Sequence, residues 1–269
     1  MYPALITKLK NRILEIVRTF KIKLTHRTHP QGRPLKIKEE DALTLALYQH
    51  ASTRATKKSV YDDFKETLRC SYKTLVVAMN RAAVWSMRIL FLLMRLGKKH
   101  GHIVKYTDAT DLPVCLTKNG GRHRTMRHLA DWGHSGKGWY YGLKMTMTRD
   151  ARGNILGLRF THPGANDRDI FRSINKDIDG VIVADAGYVS KELERDMFIE
   201  GKRWILVKPY KSMRKLCTRW QAKLYNSRLV IEFDFRSLKL FHGLVTSMPR
   251  SINGYIANYL NAVLSFVVR

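Results

Sequence analysis

At Gly101 the periodicity of the chain changes, and the order of the elements beyond it admits few folds. Before it the pattern is helical. Residues 4–20 repeat Leu5, Ile6, Leu9, Ile13, Leu14 and Val17 near helical spacing, with Lys and Arg opposite. Segments 39–55 and 73–96 predict further helices separated by a short polar stretch, and a basic connector at 21–38 carries Pro30, Gly32 and Pro34. After Gly101 strands begin. Residues 103–108 predict the first, 140–148 alternate apolar and polar, and 154–161 follow across the turn at 149–153, giving an antiparallel meander. Asn166 or Asp167 then caps a short helix through Ile174. A strand at 181–185, a helix at 190–200, a strand at 204–207, a long helix containing Glu232 and an apolar closing helix at 255–268 complete the chain. This order predicts an α/β mixed sheet with flanking helices, preceded by a small all-α basic region. The expected domains are 1–98 and 99–269.

Three carboxylates stand out within that order. Asp108 closes the first predicted strand, Asp185 closes the apolar run Val181-Ile182-Val183-Ala184, and Glu232 lies on the long helix. At roughly 100° per residue, Tyr225, Arg228, Glu232 and Lys239 fall in one stripe about 60° wide. A lone Asp at a strand end is usually a turn or cap residue, and such a stripe is usually an ion-paired, solvated face. Two strand-end aspartates followed by a helical glutamate share one explanation instead. Hard divalent cations take carboxylate oxygens and keep open positions for water and phosphate. Asp108, Asp185 and Glu232 are therefore the expected ligands of Mg²⁺ or Mn²⁺, two ions about 3.5–4 Å apart for an in-line phosphoryl displacement. Asp167 and Asp169 are accounted for by helix capping and the helix dipole.

Charge points to the substrate. The chain carries 49 Lys and Arg against 22 Asp and Glu, a formal net charge of +27. Residues 1–100 hold 21 and 7 of these, so the helical part is the denser cationic surface. Such an excess costs self-repulsion unless a polyanion is bound; nucleic acid is the expected partner, double-stranded DNA in the reading below, with an acidic membrane surface a distant second. Arg122, Arg124, Arg127 and Lys137 stand among His123, His128, His134, Trp132 and Trp139, as a DNA-contacting loop requires. Three cysteines without CxxC spacing suggest neither a disulfide scaffold nor a thiolate zinc site. No GxxxxGK[ST] loop or secretory signal is visible, and the apolar run 89–94 is far short of the ~20 residues of a bilayer span. The expectation is a soluble, cytoplasmic, nucleoid-associated protein with no membrane partner.

Several short motifs together resemble the DDE transposases of bacterial insertion sequences, in the branch marked by a Y-R-E-K signature. They are Tyr225-Asn226-Ser227-Arg228 leading to Glu232 and Lys239, Ala184-Asp185-Ala186-Gly187-Tyr188, Asp108 followed by Leu112-Pro113-Val114-Cys115, and Tyr140-Tyr141-Gly142-Leu143-Lys144. The resemblance spans roughly 102–265 and implies a ribonuclease-H-like catalytic domain. It further implies binding to element ends and target DNA, metal-dependent strand cleavage and strand transfer by the freed 3′-hydroxyl, and a homodimer in the synaptic complex. Arg228 and Lys239 would grip phosphates beside the scissile bond, with Tyr225 stacking or hydrogen-bonding. Two departures are present: Ala109, where a small hydroxylated residue is common, and Asp111, an acid where an apolar residue or Pro is common. Asp108 is chosen because it directly ends the predicted strand, with Asp111 as the fallback. An inactive DNA-binding regulator of the element and a ribonuclease-H-like nuclease are the alternatives.

Overall fold

The computed structural model describes residues 2–25, 35–188, 190–201, 203–207 and 217–268. Residues 26–34 of the expected connector, with Pro30, Gly32 and Pro34, lie outside the described residues. The chain divides into two compact units, Met1–Leu92 with Ser237–Arg269, and Leu93–Arg236. This division differs from the expected one at 98/99, because the closing helix joins the N-terminal unit rather than the sheet.

The first unit contains α1 (Tyr2–Thr19), α2 (Glu39–Ala51), α3 (Lys57–Phe64), α4 (Tyr72–Arg81), the start of α5 (Ala83–His100), and α10 (Ile252–Val268). Helix α2 is buried along nearly its whole length, since α1, α4 and α10 all pack on it. A helix buried on every side needs such company. Polar groups inside are paired: Glu39 accepts from Trp85 Nε1 at 3.2 Å and ion-pairs with Arg81, and Ser86 Oγ donates to Asn261 Oδ1 at 2.6 Å. The expected helix 73–96 is two helices, broken at Ala82, and α3 forms inside the expected polar stretch, capped by Thr56. By length and composition the run Tyr72–His100 could cross a membrane, but half of its most apolar window is buried, as a core helix requires.

The second unit is built on a mixed sheet of β1 (Val104–Pro113), β2 (Asp131–Ser135), β3 (Gly138–Asp150), β4 (Ile155–Thr161), β5 (Gly180–Val183) and β6 (Arg203–Leu206). Its order is β2-β3-β1-β5-β6, with β4 also on β3. Strands β1, β3 and β4 are the antiparallel meander, while β5 and β6 run parallel to β1 on its other side. With α6 (Asp167–Ile174), α7 (Lys191–Gly201), α8 (Arg219–Asn226) and α9 (Leu229–Leu240), this is the ribonuclease-H-like arrangement. The cap of α6 is Asn166, whose side chain accepts from Arg168 N.

Successive side chains of a strand face opposite sides of the sheet. On one side Ala109 packs with Phe171, Ile182, Ala184, Tyr188, Leu193 and Met197, the core under α6 and α7. Thr107, on the same side, shares a buried network with Thr148 and Asn175. Arg203 is buried beneath it, donating Nη1 to the carbonyls of Asn175 (2.9 Å) and Lys176 (2.7 Å) and Nε to that of Met197 (3.2 Å). The opposite side faces α8 and α9: Tyr106 and Ser227 hydroxyls are 2.8 Å apart, and Arg149 ion-pairs with Asp234. Gly180 starts β5 at φ +79°, and a Cβ there would meet the Ile103 carbonyl at 2.4 Å, so only glycine brings β5 this close to β1.

Candidate active site

Parallel pairing of β1 with β5 ends at Tyr106 and Val183. Asp108 and Asp185 each lie two residues beyond that last pair, at matching positions past the end of β5. The chain winds from β1 through β3 to β4 on one side and then crosses to β5 on the other, so this is a switch point of the sheet, where open α/β folds bind ligands. Asp108 is not at a strand end, as the sequence suggests. β1 runs on to Pro113, with Asp108 opposite Met147 on β3. What leaves its edge toward β5 open is the shortness of β5.

Alternation along β1 also separates the two acids of the first motif. Asp108 shares a face with Tyr106 and looks toward α8 and α9. Asp111 shares the other face with Thr107 and Ala109 and lies opposite Lys144. Lys144 Nζ in turn bonds Asp167 and the Ala165 carbonyl. Burial, then Asp111 and Asp167, push the Tyr140 phenol on that face up to about 12. Asp111 thus belongs to a polar cluster beside α6.

Arg228 draws the Asp108 side together. Its Nη1 lies 2.7 Å from Asp108 Oδ2 and its Nη2 lies 2.8 Å from Glu232 Oε1. The side chains of Asp108 and Arg228 are only 17 % and 16 % exposed, whereas that of Glu232 is 46 % exposed. Burial raises the Asp108 carboxyl to about 6; the Ala109 N–H and Arg228 oppose this, and Glu232 and Asp185 add to it. Asp185 is exposed and accepts from Ala186 N at 2.8 Å at the start of a short 3₁₀ turn through Tyr188. Tyr188 packs its ring on Phe171, and burial followed by Asp108, Asp167 and Asp185 raises its phenol. Sequence reasoning gave this tyrosine no role of its own, although the Gly-Tyr after Asp185 is the signal that places it beside the carboxylates.

The expected continuous helix through Tyr225 is interrupted. α8 ends at Asn226 and α9 begins at Leu229, with Ser227 and Arg228 in a turn held by i→i−3 bonds. Ser227 Oγ donates to the Leu224 carbonyl at 2.6 Å, which leaves it to accept from Tyr106. The turn still keeps the Arg228 guanidinium 5.9 Å from the Tyr225 ring centroid. Lys239 lies on α9 two turns beyond Glu232, past Arg236, where the first unit resumes. The expected basic loop is a 3₁₀ turn, Thr117–Arg122, followed by β2 and its tight turn into β3. Arg122, Arg124, Arg127 and Lys137 are exposed on it, away from the ion pairs of Arg228.

No cluster of three or more His, Cys, Asp and Glu able to hold a metal forms among the described residues. Arg228 stands between Asp108 and Glu232 instead. The donor chemistry nevertheless fits a hard divalent cation: the groups are all carboxylate oxygens, and the buried one is held near 6 partly by the charge of the other two.

Two solved structures are similar to the chain. One is a pre-cleavage Mos1 transpososome (10% identity, 93% of this chain and 83% of that one, TM-score 0.25). The other is the Mos1 mariner paired end complex with Mn (11%, 94% and 83%, TM-score 0.25). None of the curated proteins matches it. A family profile does: the transposase DDE domain matches residues 97–252, more than half of the chain. Both strands at the switch point, the turn bearing Arg228 and the helix bearing Glu232 fall inside that match, and the chain belongs to the transposase DDE domain family.

Proposed function

We propose that the chain is an active transposase of a bacterial insertion sequence, in the Y-R-E-K branch. It binds the ends of its element and catalyses metal-dependent strand cleavage and strand transfer. The observation that supports this is the meeting of Asp108 and Glu232 on Arg228 at the open end of the β1–β5 pair, with Asp185 at the matching position past the end of β5. Ala109 packs on the core under α6 and α7 and Asp111 lies on the same face opposite Lys144, so neither departure faces Arg228, which favours the active reading.

Asp108 would serve two Mg²⁺ or Mn²⁺ ions, with Asp185 and Glu232 holding one each. When bound, such a pair activates the attacking oxygen and stabilises the leaving one. The chain's own residues supply the rest. Arg228, with two parallel donors on one side of its guanidinium, grips a phosphate by charge-assisted bonds, and Lys239 adds a second cation along α9. Tyr225, under the Arg228 guanidinium, limits where that group can swing. The exposed Arg122, Arg124, Arg127 and Lys137 hold flanking phosphates. The helical unit supplies most of the affinity for element ends, because its charge is denser, and two copies act together in the synaptic complex on nucleoid DNA in the cytoplasm. Helix α10 packs on α2, so this unit is to be tested in the full chain rather than as residues 1–98 alone.

The test uses purified protein, Mg²⁺ and a duplex carrying the DNA that flanks its own gene, assayed for strand breaks. Asp185→Asn and Glu232→Gln should bind this duplex as the unaltered protein does and leave it intact. Comparable Mg²⁺-dependent nicking by either variant would overturn the site assignment.

A further inference from the structure

The register of β3 places an aromatic hairpin on the catalytic face. Met147 is the cross-strand partner of Asp108, and Tyr141 and Trp139 lie six and eight residues before it on the same unbroken stretch of β3. Even spacings keep all three on one face of the strand. Their partners on β2 are Trp132, opposite Tyr141, and His134, opposite Trp139, so four rings share the face that Asp108 occupies. At about 3.3 Å per residue, the pairs lie roughly 20 Å and 26 Å from Asp108 along the strand, beyond the carboxyl end of β1.

The two indoles are presented rather than buried, beside a buried Tyr141. Trp139 is 64 % exposed and meets His134 edge-on at 5.4 Å; Trp132 is 42 % exposed and meets Tyr141 edge-on at 5.5 Å. Trp132 is held in place from below. A Cβ on Gly120 would stand 2.6 Å from its ring, so the 3₁₀ turn Thr117–Arg122 packs its backbone directly against the indole. That turn and the residues after it carry exposed Lys118, Arg122, Arg124 and Arg127, and Lys137 sits in the hairpin turn. Indoles facing solvent at a rim of cations match a nucleic-acid strand whose bases stack while its phosphates pair.

We propose that the β2–β3 hairpin presents Trp139 and Trp132 as a stacking platform for unpaired DNA bases on the catalytic face, displaced along the strand from the carboxylates. Counted along duplex DNA at about 3.4 Å per nucleotide from the scissile phosphate, this distance puts the first unpaired, stacked bases roughly six to eight nucleotides away. That distance rests on Asp108 being catalytic, as proposed above; the binding itself does not.

Fluorescence anisotropy of the full chain with labelled oligothymidylate, and with a duplex of equal length, tests this without requiring cleavage. Trp139→Ala should weaken single-strand binding roughly 5- to 150-fold and leave duplex binding nearly unchanged, because stacking acts on unpaired bases. Trp139→Phe should restore most of the loss, and Gly120→Ala, which displaces the Trp132 indole, should weaken single-strand binding without a matching loss on duplex. Equal losses on both DNAs, or none on either, would overturn the platform. The Asp185→Asn protein should titrate like the unaltered one here while failing to nick, so the two proposals fail separately. 2-Aminopurine placed along the end DNA should be quenched most within the predicted window, and a maximum elsewhere would overturn the placement.

Discussion

Replacing Arg203 by Met isolates the part of the fold that holds β5 and β6 beside β1. The side chain is 2 % exposed, and methionine keeps its length and apolar stem while removing every donor. Three backbone carbonyls, those of Asn175, Lys176 and Met197, then lose the guanidinium. Asn175 and Met197 are fully buried, so no water replaces the donor there. The Asn175 carbonyl keeps the Ile178 N–H at 3.3 Å, so what is lost is a set of hydrogen bonds from a charged donor, about 1.5–3 kcal/mol each before offsets. Part of this is offset because the charge no longer has to be desolvated, which leaves a net loss of about 2–4 kcal/mol. At about 2–4 °C per kcal/mol for a unit of this size, the melting midpoint should fall by roughly 5–15 °C. Differential scanning calorimetry is the assay, since two compact units can melt separately and the loss belongs to the sheet. Arg203→Lys, with a single ammonium, should fall between the two. An Arg203→Met midpoint indistinguishable from that of the unaltered protein would refute the claim that this guanidinium ties the ends of α6 and α7 to the sheet.

Three further outcomes are expected. In the Mg²⁺ nicking assay, Asp108→Asn should abolish cleavage and Asp111→Asn should retain it, because the two acids face opposite sides of the sheet; the reverse pattern would move the site to the α6 side. Lys239→Ala and Arg228→Ala should each slow cleavage or joining roughly a hundredfold to a thousandfold, by analogy with removal of one oxyanion donor, while DNA affinity changes far less. Wild-type rates in both would leave the stripe a solvated helix face. His50 is fully buried against the His242 carbonyl, and burial lowers it to about 4. The unfolded chain takes up that proton as pH falls through about 6.5, so the contribution is whole above 6.5 and is lost by about 4, on the order of 3 kcal/mol in all. Melting midpoints from pH 7.5 to 4.5 should fall less steeply in His50→Gln, and identical slopes would contradict this.

How far the fold can be read from the chain depends on whether local sequence carries the information. The meander, the α6 cap and the parallel strand before Asp185 announce themselves through alternation, a capping Asn and a short apolar run. β1 beyond Asp108 does not: Ala109-Thr110-Asp111 looks like a turn, and only pairing with β3 makes it strand. The same holds for β2, which reads as part of the basic loop until Trp132 and His134 are matched to Tyr141 and Trp139. The breaks at Ala82 and at Ser227–Arg228 leave helical periodicity almost intact, so spacing alone joins the helices across them. The convergence at Arg228 is partly legible, since the i, i+4 spacing to Glu232 is local. Its bond to Asp108 spans 120 residues and needs the fold.

Because α10 completes the core around α2, the helical unit is assembled from two segments far apart in the sequence, with the sheet residues between them. On the ribosome the sheet residues emerge while the buried length of α2 still lacks its last neighbour. Domains generally fold as units during synthesis, N-terminal ones first at about 5–20 residues per second. Here the order is inverted: the part made first finishes last. Until α10 has emerged, a nascent chain carries the sheet without a finished helical unit, and a message truncated before codon 252 lacks the helix that completes the surroundings of α2.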